Sequence, residues 1–188
     1  MARLPYVEPE TASENVRAVL ERLPRPLNIF KLMAHAETNF RPLLRLGTSI
    51  LTEQQLPATL RELAILETAR RCGAEYEWTQ HVAIAKAVGV TDAQIDALAS
   101  DRADGPALGE VERVVVAVTD DLVRDGRIPA DRFAALERLL STREIVELVL
   151  AVGFYVTLAR LMVVADIDPD PPIGGAILRS FTPPERGE

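Results

Sequence analysis

Three ionisable side chains, Glu62, Glu77 and His81, fall where a helix would turn them into its apolar face. Wound at about 100° per residue, residues 57–72 place Glu62 between Leu66 and Ala69, with Ile65 and Cys72 on its other flank. The same construction over residues 75–88 gathers Ile84, Glu77, Val88, His81, Ala85, Trp78 and Val82 on one arc. Thr79, Gln80 and Lys86 fall opposite, with Tyr76 on the polar side. Glu77 and His81 are therefore one turn apart, a spacing at which helix side chains reach each other. Two carboxylates beside one imidazole in a dry place have displaced pKa values and can move a proton near neutral pH. Competing readings stand beside this one. Thr59 and Glu62 fit the Ser/Thr-x-x-Glu capping box, Glu77 and His81 fit a buried ion pair that fixes helix packing, and Trp78 fits a core anchor. A metal site would need a third and fourth ligand, and the only other histidine is His35.

These residues require helices to position them, and the chain supplies the signals. Proline and glycine punctuate long segments of helical apolar period, with no Val/Ile/Thr-rich run between turn signals, so the expected fold class is all-α. Helices are expected at about 11–23, 28–35, 37–51, 57–72, 75–88, 91–99, 109–125, 129–140 and 141–165. Thr11 with Glu14, Thr59 with Glu62, Thr91 with Gln94 and Ser141 with Glu144 mark four helix starts. The helices at 57–72 and 75–88 are separated only by Gly73-Ala74 and must fold back as a hairpin, which brings Glu62, Glu77 and His81 into one cluster.

Composition limits what such a cluster can serve. Among 188 residues, 48% are apolar and 26% charged, which excludes a disordered or collagenous chain. The net charge of −7 leaves no basic footprint for nucleic acid or an anionic membrane. The longest uncharged stretch, residues 148–159, is shorter than the roughly 20 residues of a membrane span, and the first residues lack the apolar run of a signal peptide. A cytoplasmic location is expected. The helix at 141–165 is apolar on nearly every face, and Phe154, Tyr155, Leu158, Leu161 and Met162 exceed what one small domain would cover. A second copy is the expected cover, giving a homo-oligomer. Residues 168–188 hold five of the 13 prolines and three of the ten glycines and read as an extended arm.

The run from Leu60-Arg61-Glu62 to Ala74-Glu75-Tyr76-Glu77-Trp78-Thr79-Gln80-His81, followed by Gly89-Val90-Thr91, resembles the carboxymuconolactone decarboxylase and AhpD-like superfamily. The upstream segment 28–35 and the late segment 152–161 fit the same picture. The resemblance implies an AhpD-like all-α domain over residues 28–167, flanked by an N-terminal helical extension (1–27) and the C-terminal arm (168–188). It also implies homo-oligomers and no organic cofactor. Glu62 and His81 fall on the glutamate and histidine of the peroxidase branch, but its two cysteine positions hold Ala74 and Glu77. Cys72, the only thiol, lies two residues before the first of them and reads as a packed core thiol. A dithiol cycle needs two sulfurs. The expectation is a cofactor-free acid–base enzyme, a decarboxylase or related lyase acting on a small organic acid or lactone through Glu62, Glu77 and His81. The alternatives are a thiol peroxidase using Cys72 and a non-catalytic oligomeric scaffold. No arginine cluster is evident to grip a diacid, because Arg61, Arg70 and Arg71 are expected on other faces of their helix.

Overall fold

The computed structural model describes residues 1–23 and 25–172. Among these residues the chain forms only helices: α1 (Glu14–Leu20), α2 (Asn28–Met33), α3 (Glu37–Thr52), α4 (Ala58–Cys72), α5 (Glu75–Ala87), α6 (Asp92–Ala99), α7 (Glu110–Asp125), α8 (Ala130–Leu139) and α9 (Thr142–Ala165). Helix α4 lies at the centre and packs on α5, α6, α7 and α9. Every residue from Leu60 to Ala69 is buried, charged ones included. A helix covered on all sides cannot be amphipathic in the ordinary way, so the polar residues of α4 must find partners inside the protein.

Around α4 sit three apolar clusters. One joins α1, α2, α3 and the later half of α9 through residues such as Leu20, Met33, Phe40 and Phe154. A second joins the start of α4 to α7, α8 and the first half of α9 through Leu60, Val115, Leu136 and Leu148. The third packs α4 and α5 on α6 and α7 through Leu66, Ala85, Leu98 and Val116.

The α4–α5 hairpin closes at Gly73, whose φ of 66° is the left-handed conformation that favours glycine at a helix end. The Ala74 N–H turns back to donate to the Ala69 carbonyl at 2.9 Å. The capping boxes expected at Thr91 and Ser141 are formed. Those at Thr11 and Thr59 are not. Helix α1 starts after Ser13, and α4 starts after Pro57 without a side-chain cap, which moves Glu62 past the first turn and frees its carboxylate to point inward.

Helix α9 corrects another expectation. Phe154, Tyr155, Leu158 and Met162 are all buried within one chain, because α1, α2 and α3 form a layer over that side. The apolar residues left exposed are Val146, Val149, Leu150, Val163 and Val164. Their spacing places them along one outward stripe. Helix α9 is long and apolar enough to cross a membrane by length and composition, but its inner face is packed on α3, α4, α5, α7 and α8, the setting of a core helix.

The first residues of the arm, 168–172, are not free. Asp170 Oδ2 accepts from the Asn28 N–H at 2.7 Å and the Tyr76 hydroxyl at 2.6 Å, and the Asp170 carbonyl accepts from the Gln80 amide at 2.9 Å. The rest of the expected arm lies outside the described residues.

Candidate active site

The hairpin delivers Glu62 from α4 and His81 from α5 to one point. His81 Nδ1 lies 2.8 Å from Glu62 Oε2, and both side chains are buried. With Glu62 ionised its oxygens can only accept, so Nδ1 carries the proton and donates it to Oε2. Nε2 is then the open nitrogen of the ring, and no hydrogen bond engages it among the described residues. Tyr155 of α9 packs against His81 edge to face, with ring centroids 4.8 Å apart. Burial, and then the charge of Glu62, push the Tyr155 phenol well above its ordinary range.

Glu77 is the least satisfied group. It is 1% exposed, and neither carboxyl oxygen has a hydrogen-bond partner among the described residues. Burial pushes its carboxyl well above the usual glutamate range, and the nearby Glu62 adds to the effect. An unpartnered acid in such a place holds its proton, since a bare carboxylate there would lack both water and a counter-charge.

Glu77, His81 and Tyr155 line a cavity between α2, α3, α5 and α9. Its free volume is about 80 Å³, and the wall is otherwise mostly apolar, with Ile29, Leu44, Leu51, Ile84, Phe154 and Leu158 among its residues. Gly47 of α3 lets the wall come this close: a Cβ there would stand 3.1 Å from Phe154 Cζ.

The structure thus brings together all three residues expected from the sequence and adds two. Arg61, expected on another face, is 4% exposed, with Nε 3.6 Å from Glu62 Oε1. Helix α4 is enclosed all round, so this guanidinium has nowhere else to turn. Tyr155, read from the sequence only as an assembly residue, faces His81. A hydroxyl-bearing aromatic in the middle of an otherwise apolar run was the available signal. Arg70 and Arg71 do lie away from the site, bound to Glu67.

Two side chains of α5 were misplaced by periodicity. Tyr76 and Gln80 are buried rather than polar-facing, because the segment after α9 folds back and gives them Asp170 as a partner. Trp78 and Val82 pack instead on the α4–α6 side. Cys72 is not a core thiol. It is the last residue of α4, half-buried in a surface recess with Arg71, Asp120, Arg124 and Arg160, outside the cavity wall. Burial pushes the thiol up, away from the reactive thiolate. Among the described residues, no group of three His, Cys, Asp or Glu is placed to hold a metal ion.

Comparison with known proteins places this architecture. Residues 38–121 match the carboxymuconolactone decarboxylase family. No curated protein sequence matches the chain. Among solved structures, an uncharacterised peroxidase-related protein with an alkylhydroperoxidase AhpD core from Ralstonia eutropha is similar with a TM-score of 0.77 and 17% identity, covering 97% of this chain and 98% of that one. The debrominase Bmp8, in a cysteine-to-alanine variant bound to 2,3,4-tribromopyrrole, matches with a TM-score of 0.74 and 17% identity over 96% and 97% of the two chains. A protein of unknown function from Agrobacterium tumefaciens matches with a TM-score of 0.67 and 22% identity over 73% and 94%. The fold is AhpD-like, the family match is confined to residues 38–121, and the sequence has one cysteine where a Cys-x-x-Cys pair would need two.

Proposed function

We propose that this protein is a cofactor-free acid–base enzyme, a decarboxylase or related lyase, acting on a small organic molecule held in the α2–α3–α5–α9 cavity. The observation that carries this reading is the pairing of a buried Glu77 without a hydrogen-bond partner and a His81 whose Nδ1 is fixed by Glu62, both on the wall of one apolar cavity. A base and an acid one helical turn apart can act on the two ends of a carbonyl-activated carbon. His81 Nε2 takes the proton from the carbon beside a carbonyl. The electron pair moves to the carbonyl oxygen, which receives the Glu77 proton, and the resulting enol either expels a leaving group or is reprotonated at another carbon. Arg61 and Glu62 act through His81 as positioning residues. The cavity's apolar wall limits water at the reacting atoms.

The thiol reading has less support. Cys72 lies outside the cavity and has no second sulfur to resolve a disulfide.

α-Angelica lactone, a five-membered β,γ-unsaturated lactone with acidic ring protons, is a suitable probe. The protein should accelerate deuterium incorporation into its ring in heavy water, followed by NMR. Exchange no faster than in buffer would overturn the acid–base reading.

The outward stripe of α9 favours a second copy of the chain as its cover, with a largely apolar interface. Light scattering at micromolar concentration should return a multiple of the chain mass, and a monomer would refute the assembly.

A further inference from the structure

We propose that the cavity selects an uncharged, ring-sized apolar molecule bearing one polar group, and rejects organic anions of the same shape. This rests on the acid–base reading and narrows it: lactones fit and free carboxylates do not, so the decarboxylase branch of that reading falls away and a lyase or isomerase acting on a neutral lactone remains.

The wall carries the argument. Among the described residues, no lysine or arginine lines the cavity. Arg61, the buried cation nearest the site's carboxylates, sits with its Nε at Glu62 Oε1 and is not part of the lining. Several polar side chains of the wall are already engaged: the Thr48 hydroxyl donates to the Leu44 carbonyl at 2.8 Å, and Tyr76 donates to Asp170. The wall residues whose polar groups lack a hydrogen-bond partner among the described residues are Glu77, at both carboxyl oxygens, His81, at Nε2, and Tyr155, at its hydroxyl. An incoming anion would lose its water and meet no lysine or arginine among the described lining residues, which costs far more than apolar contact returns. A neutral ring loses little on entry. A single carbonyl or amide on it gives Glu77 the partner it lacks without carrying a charge into the apolar wall. The size follows from the free volume of about 80 Å³. At roughly 10–15 Å³ for each water-sized atom, this admits about five to eight non-hydrogen atoms.

Cyclopentanecarboxamide and cyclopentanecarboxylate share one shape and differ by one charge, so they separate charge from fit. Each is titrated into the full chain at neutral pH by calorimetry, while NMR follows the imidazole signals of the chain's two histidines. The amide should bind at least tenfold more tightly than the carboxylate, and should shift the His81 signal while leaving that of the exposed His35 in place. Carboxylate binding as tight as the amide, no amide binding at millimolar concentration, or amide binding without a His81 shift would each overturn the proposal. In Leu44→Arg, a half-buried wall position on α3, the preference should move towards the carboxylate. Circular dichroism checks that this variant is folded, and the wild-type ratio decides the matter by itself if it is not. Amide selectivity without lactone exchange would remove the acid–base reading alone. Lactone exchange with tight carboxylate binding would remove the charge selectivity alone.

Discussion

Helix α4 buries two glutamates completely, and they are treated in opposite ways. Glu67 is saturated: Arg70 Nε donates to Oε2 at 2.9 Å, while an Arg70 Nη and Arg71 Nε donate to Oε1 at 2.8 and 2.7 Å. Asp101 and Asp120 complete a network around the two arginines. Glu62, five residues earlier, has one histidine on Oε2 and an arginine too distant to hydrogen-bond on Oε1, and Glu77 beside it has nothing. A satisfied buried charge specifies how helices pack. An unsatisfied one keeps a raised free energy that a ligand can relieve, and it is the second arrangement that contributes to the apolar cavity, through Glu77 and His81. On the proposed function, burial of acids in this protein marks structure at one end of α4 and chemistry at the other.

Exchanging the roles of the two ends tests that contrast. The largest effect is expected at the cavity: His81→Ala and Glu77→Gln should each slow deuterium exchange into the lactone by about 10²–10⁴-fold, measured by NMR at equal protein concentration. Loss of rate in Glu67→Gln of the same size would erase the distinction. At the saturated end, Glu67→Ala should lower stability by about 2–4 kcal/mol in urea unfolding, because it strands two arginines. The figure is set below that of a fully buried pair since both remain partly exposed. The exchange rate of its folded fraction should stay near wild type.

Replacing Glu77 should have the opposite sign. Glu77→Met removes a buried carboxyl without partners and should stabilise the fold by about 1–3 kcal/mol while abolishing exchange. A destabilised variant would mean that Glu77 has a structural partner. The same residue controls a pH dependence. Its folded-state pKa lies above the unfolded value, so above the ordinary glutamate range the folded chain retains a proton that the unfolded chain has released. Stability should fall as pH rises from that range up to the raised value, and Glu77→Gln should flatten this slope in denaturation midpoints taken across the interval. The smallest effect belongs to Cys72. Hydroperoxide turnover with a dithiol reductant should be near background, and Cys72→Ser should leave it unchanged.

The half of the site contributed by local sequence was legible, and the half contributed by distant elements was not. Helical period and a two-residue link were enough to predict that Glu62, Glu77 and His81 would meet. Tyr155 was hidden because its facing depends on how α9 lies across α4 and α5, which no single-helix projection contains. Arg61 was misread because a projection assigns faces as inner and outer, whereas α4 has no outer face along that stretch. Tyr76 and Gln80 were missed for a related reason: their partner, Asp170, lies 90 or more residues away in sequence. The Thr59–Glu62 capping signal failed because Pro57 begins the helix earlier, a local competition in which both patterns are plausible in sequence and only one start can be used.

The closure of the α4–α5 hairpin at Gly73 also bears on how the molecule folds. Glu62 and His81 are 19 residues apart along the chain, so the loop that must close to join them is short and its entropic penalty small. Contacts of this range can form before the long-range ones that bring α9 and the arm into place. Substitutions that loosen the hairpin, such as Gly73→Val at its left-handed turn, should therefore slow refolding. Substitutions in the Asp170 contacts should mainly quicken unfolding. The chemical centre would then be among the first parts of the protein to be assembled, with the walls of its cavity built around it afterwards.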